Sequence, residues 1–150
     1  MENVKVKQED NIKVVNRAAV IDLILTGNWV QDKLAEALKP YSMSVAQFNV
    51  LRILRGQKGK PASLACVNEK MIHKMSNTTR LIDKLLDKKL VERIICPENR
   101  RKIELTITHQ GLELLKDLDK VIEEAEARAM ENLDKEEITR LKELLEKIKD

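Results

Sequence analysis

The side chains best placed for chemistry crowd the start of one amphipathic stretch, Lys74-Met-Ser-Asn-Thr-Thr-Arg-Leu-Ile-Asp-Lys-Leu-Leu-Asp-Lys-Lys89. Leu81, Leu85 and Leu86 recur at helical spacing with Ile82 beside them, leaving Ser76, Asn77, Thr79, Arg80 and Lys84 for the other side. Ser76 and Asn77 are favoured N-cap residues, which puts the polar cluster at the N-terminus of the predicted helix. Asn and Arg make bidentate contacts to base edges, and Ser and Thr reach base or phosphate. Such a first turn therefore suits the major groove of DNA. A solvated surface helix can present a similar face, so the meaning of this one rests on its neighbours.

Those neighbours are arranged around it in a consistent order. From about Val14 to Leu38, the positions Val20, Ile24, Gly27, Val30 or Gln31, Leu34 and Leu38 form a helical stripe that Ile21, Leu23 and Trp29 widen beyond one face. Pro40 stops that helix. A second helix opens with Ser44 as N-cap and Gln47 three residues on, a capping-box pattern, with Phe48, Leu51 and Leu54 inward. Gly56-Gln-Lys-Gly59 and Pro61 mark its exit. Ala62 to about Lys70 reads as a short third helix with Leu64, Val67 and Met71 inward, and a brief turn leads to the stretch described first. This is helix-turn-helix order.

The period then changes. Leu90-Val-Glu-Arg-Ile-Ile-Cys96 and Lys102-Ile-Glu-Leu-Thr-Ile-Thr108 are β-branched runs, the second alternating, joined by the polar loop Pro97-Glu-Asn-Arg-Arg101. A hairpin with a basic tip after a helix-turn-helix is a wing, whose arginines suit a minor groove or phosphate. Thr108 caps a further helix on Leu112, Leu115, Leu118, Ile122, Ala125 and Ala129, and Asp134 caps a last one on Ile138, Leu141, Leu144, Leu145 and Ile148. These stripes, and the surplus face of the first helix, have no third partner in the sequence. A second copy of the chain would bury them.

Composition narrows the function classes. At 150 residues the chain is one domain-sized unit with 43% hydrophobic and 35% charged residues. One Trp, one Tyr and one Phe are too few for a stacking platform on single-stranded nucleic acid. Residues 70–102 hold ten Lys/Arg against four Asp/Glu, whereas residues 103–150 hold eight against fourteen. A basic middle followed by an acidic tail implies that only the middle faces a polyanion. No apolar run is long enough to span a bilayer and no signal peptide is evident, so a cytoplasmic location is expected.

The strings Gln47-Phe-Asn-Val-Leu-Arg-Ile-Leu54, Thr79-Arg-Leu-Ile-Asp-Lys-Leu85, Leu90-Val-Glu-Arg93, Asn99-Arg-Arg101 and Ile107-Thr-His-Gln-Gly111, in this order, resemble the MarR family of winged helix-turn-helix regulators over roughly residues 12–150. The resemblance implies a mainly α fold with a small β-hairpin wing (α+β). Residues 1–10 are polar and charged without an apolar period and are expected to be a flexible N-terminus; the resemblance implies a helical dimerisation region (11–40 and 108–150) and a DNA-binding lobe (41–107). It implies a homodimer on a pseudo-palindromic operator in double-stranded DNA. Ser76, Asn77, Thr79 and Arg80 would face the major groove, Lys74 and Lys84 phosphate, and Asn99, Arg100, Arg101 and Lys102 would form the wing's contact. The family usually carries Asp where this chain has Asn99, which leaves the choice between Arg100 and Arg101 as the inserted residue open. A small-molecule effector would occupy a cleft lined by Trp29, Tyr41, Met43 and Phe48, although these residues can equally be hinge core.

Other functions are less well served. Cys66 and Cys96 lack the position of the reactive cysteine in oxidant-sensing relatives. A redox-sensing regulator acting through Cys96, close to a cationic wing tip, or through Cys66 is still an alternative. His73, His109 and the two cysteines show no CxxC or HxxxH spacing, so neither a metal nor another cofactor is expected. There is no Gly-rich phosphate loop, no paired inward carboxylates and no nucleophile motif, which speaks against an enzyme. A non-specific architectural DNA-binding protein is the nearest rival, followed by an adaptor using the acidic helical tail.

Overall fold

The computed structural model describes residues 2–72 and 78–150, with side chains from residue 11 onward. The chain divides into two units, residues 1–33 and 34–150. A single helix, α1 (Glu2–Leu38), makes up the first unit and runs on into the second. Sequence periodicity predicts a flexible stretch over residues 1–10 and helix only from Val14. Instead the helix begins at Glu2, because Glu, Lys and Gln are good helix formers and an established helix propagates through them without a new nucleus. Val14, Val20, Ile24 and Leu25 are each more than half exposed in the single chain, so the wide apolar stripe lacks a cover there.

The second unit is built on one core that joins Leu38, Leu51, Leu54, Val67, Leu85, Leu105, Leu115 and Leu118, all at most 2% exposed. After α1 a 3-10 turn (Lys39–Tyr41) ends at Ser42, whose left-handed backbone (φ 52°) redirects the chain into α2 (Val45–Gly56). The predicted capping box is present. The Ser44 hydroxyl accepts the Gln47 amide at 3.1 Å, and the Gln47 side chain accepts the Ser44 amide at 3.0 Å. Phe48, Leu51 and Leu54 are buried as their spacing predicts.

Ala62 and Ser63 are not part of the third helix, as the sequence reading has them. They form a two-residue strand, β1, pairing antiparallel with β3 (Ile103–Ile107) through Ala62↔Leu105 and Ser63↔Glu104. Two residues carry no readable period, and only the free edge of β3 makes them a strand. Ser63 then caps α3 (Leu64–Lys70) by accepting the Cys66 amide at 3.1 Å. The sheet order is β1-β3-β2, with β2 (Val91–Ile95) paired to β3 from Val91↔Ile107 to Ile95↔Ile103. The hairpin is thus as predicted, with a third strand on its other edge.

Helix α5 (His109–Ala129) starts where Thr108 accepts the Gly111 amide at 3.0 Å while donating its hydroxyl to the Lys89 carbonyl at 2.8 Å. Gly111 is required by this close approach, since a Cβ there would lie 2.3 Å from the Leu90 carbonyl oxygen. Leu115, Leu118 and Ile122 enter the core, and Arg55 of α2 forms a two-pronged ion pair with Asp119. After a break at Met130–Asp134, a second capping box between Asp134 and Glu137 opens α6 (Lys135–Ile148). Its stripe residues Ile138, Leu141, Leu144 and Ile148 are exposed in the single chain.

Candidate nucleic-acid interface

Helix α4 is described from Thr78 to Asp87, and of the predicted contact residues Lys74, Ser76 and Asn77 lie outside the described residues, as does His73. Within α4 the buried seam is Thr78, Ile82 and Leu85, with Leu81 and Leu86 half-buried at its margins. Ile82 is therefore at the centre of the packing face rather than beside it. Thr79, Arg80, Asp83 and Lys84 are exposed on the opposite side. The split follows the 3.6-residue period, and it separates the packing face from one on which Thr79, Arg80 and Lys84 can meet a ligand.

Three contacts fix how α4 is held. The buried Thr78 hydroxyl donates to Asn68 Oδ1 at 3.0 Å, tying the start of α4 to α3 across the turn. Arg93, in the middle of β2, reaches Asp83 at 3.4 Å, an exposed ion pair between the helix and the hairpin. Lys88, just past the helix, donates to the Ser42 carbonyl at 2.5 Å and lies 3.8 Å from the Met43 sulfur, tying the end of α4 to the junction before α2. Sequence reasoning misses all of these partners. Each links positions ten or more residues apart, and spacing rules carry no information about such pairs.

The hairpin tip is closed by its own backbone. The Asn99 amide donates to the Cys96 carbonyl at 3.2 Å, and the Lys102 amide to the Asn99 carbonyl at 2.9 Å. Asn99 Oδ1 accepts the Arg101 amide at 3.1 Å. Asn99 thus acts on the backbone of Arg101, two residues on, a task needing an acceptor oxygen but no charge. Arg100, Arg101 and Lys102 are exposed, and among the described residues the one ion pair in this loop is Lys102 with Glu104 at 3.7 Å. Both arginines are left available to an anion.

The four residues suggested for an effector are placed differently from one another. Met43 and Phe48 belong to the core of the second unit, with Arg52 5.5 Å over the Phe48 ring. Tyr41, on the 3-10 turn, is exposed. Trp29, in the first unit, is half exposed with the Lys33 ammonium 5.7 Å from its ring. Cys66 and Cys96 are both free and half-buried. Among the described residues no three His, Cys, Asp or Glu side chains are grouped to hold a metal, and no helix is long and apolar enough to cross a membrane. Away from this face, the Glu113 carboxyl is drawn below the usual carboxylate range by a hydrogen bond and the charge of Lys116, 2.9 Å away.

None of the curated proteins matches this sequence. A profile of the MarR family matches residues 43–103, which spans α2 to the start of β3. A solved MarR transcription factor from Planctomyces limnophilus is 32% identical, covering 87% of this chain and 94% of that one with a TM-score of 0.72. The chain belongs to the MarR family. This MarR protein is accordingly a DNA-binding transcription regulator, with the winged-helix fold of its relatives. An E. coli MarR mutant complexed with operator DNA shares that fold at 22% identity, over 91% of this chain and 95% of that one, with a TM-score of 0.77. So does Bordetella bronchiseptica BpsR, at 23% identity over 89% and 99% of the two chains with a TM-score of 0.79; its DNA binding is regulated by 6-hydroxynicotinic acid.

Proposed function

We propose that this MarR protein is a homodimeric repressor that reads a pseudo-palindromic operator and loses affinity for it when a small effector binds. The observation that carries the reading is the joint placement of two unengaged basic groups on one lobe. Helix α4 offers Thr79, Arg80 and Lys84 on its exposed face, and the hairpin held to it by Asp83–Arg93 offers Arg100 and Arg101. In this reading the start of α4 enters the major groove, and Lys74, Ser76 and Asn77, which lie outside the described residues, add contacts there. Arg80 contacts base edges, Lys84 contacts phosphate, and a wing arginine lies on the backbone or in the minor groove.

Two copies are favoured because the exposed apolar stripes of α1 and α6 suit an isologous interface, and a two-fold dimer matches a two-fold operator. The effector is favoured by the fold shared with BpsR, whose ligand is a small aromatic acid. An effector lowers operator affinity only by binding better to an arrangement in which the two α4 helices no longer match half-sites one DNA turn apart. Footprinting on DNA from upstream of the protein's own coding region tests the proposal. Two protected half-sites with centres about 10–10.5 base pairs or a multiple apart are expected. Even protection along the whole fragment would favour an architectural binder instead.

A further inference from the structure

Helix α5 leaves the DNA-binding lobe part-way along its length. Its buried residues are Gly111, Leu115, Leu118 and Ile122, and none from Glu123 to Ala129 is buried in the single chain. The lobe therefore grips α5 from His109 to Ile122, and the grip has two directional points. At the start of the helix, the Thr108 hydroxyl donates to the Lys89 carbonyl at 2.8 Å and Gly111 lies against the Leu90 carbonyl. About 15 Å further along the axis, Arg55 in the last turn of α2 meets Asp119, with Nη1 donating to Oδ2 at 2.5 Å and Nη2 to Oδ1 at 3.3 Å. The contacts of Leu115 and Leu118 between these points are apolar and fix no direction. A guanidinium fork on a carboxylate fixes both distance and orientation.

We propose that Arg55 and Asp119 are positioning residues for operator reading: the pair sets the angle at which each lobe stands on its α5, and so the half-site spacing that a dimer accepts. The inference rests on the reading of a two-fold dimer on a pseudo-palindromic operator. With the start of α5 as pivot, a turn of the lobe swings α4 relative to the helix axis. The pair lies close to where α5 leaves the lobe and resists that turn. A dimer on half-sites one base pair too far apart must turn its lobes and break the pair in each, so the worth of the pair is added to the cost of misfit. The Arg55 and Asp119 side chains are 39% and 30% exposed, so that worth is small; it counts in the choice between spacings rather than in stability. Neither side chain needs to touch DNA.

The test is the affinity of the purified protein for a series of operators that differ only in the number of base pairs between the half-sites, at one salt concentration. Wild type should show a single preferred spacing. For Arg55→Ala and Asp119→Asn, the preference for that spacing over one a base pair longer should fall by about two- to fivefold for each lobe. Affinity for an isolated half-site and the urea midpoint should stay close to wild type. The reversed pair, Arg55→Asp with Asp119→Arg, should regain the wild-type preference, which a role in packing alone would not allow. An unchanged spacing profile, a loss of equal size at every spacing, or a reversed pair that behaves like the single variants overturns the positioning role while leaving operator recognition standing. A dimeric wild type without a preferred spacing also overturns it. A wild type that binds as one chain per half-site overturns the two-fold reading underneath instead.

Discussion

Arg80 is the side chain on which specificity is expected to turn. It is exposed, it stands opposite the buried Ile82–Leu85 seam, and its guanidinium matches the acceptor pair of a guanine edge. Arg80→Ala should cost on the order of 1–3 kcal/mol on the operator and relax discrimination, read from competition titrations against random DNA. Equal loss on both DNAs would remove its base-reading role. Arg101, whose amide is pinned by Asn99, should behave differently. Arg101→Ala is expected to weaken binding to both DNAs with a smaller loss of preference, visible as a lower salt slope. Gly111 belongs to stability alone. Gly111→Ala places a methyl against the Leu90 carbonyl and should lower the urea midpoint by an amount equivalent to about 1–3 kcal/mol; an unchanged midpoint would mean that α5 shifts freely.

The elements show which parts of the site sequence reasoning reaches. Helix α2, the hairpin and helices α5 and α6 follow from period and caps, because a capping box or a two-residue alternation is a local signal. The polar face of α4 is readable for the same reason, as its exposed and buried residues obey one period. Strand β1 is not readable, since its two residues become a strand only against Leu105 and Glu104. The ties that aim α4 are equally silent. Asn68 and Thr78 look like ordinary polar residues until the turn between α3 and α4 brings them to 3.0 Å. Thr78→Val removes the donor and leaves a polar oxygen without its partner, a loss of about 1–3 kcal/mol. It should reduce operator affinity more than random-DNA affinity, because it disturbs the aim of α4 without touching a contact residue. Equal affinities for wild type and variant would mean that core packing alone aims the helix. Arg55–Asp119 is partly exposed and should contribute less than about 1 kcal/mol.

For the molecule as a whole, charge and exposed apolar side chains fall in different segments of the chain. The basic residues concentrate in 70–102, while α5 and α6 are acidic outside and α1 and α6 carry exposed apolar stripes. Burying those stripes in a two-fold partner predicts a solution mass near twice the 17.3 kDa of one chain by light scattering. A charge in the stripe, as in Leu141→Arg, should shift that mass toward the monomer and lower operator affinity together. A wild-type mass of one chain would contradict the dimer. The most direct test of specific regulation is a titration of purified protein against its own upstream DNA, at fixed moderate salt with random competitor. Tight binding of one dimer to a palindromic subsite, resistant to the competitor, is expected. Equal affinity for both DNAs at that salt concentration would contradict it.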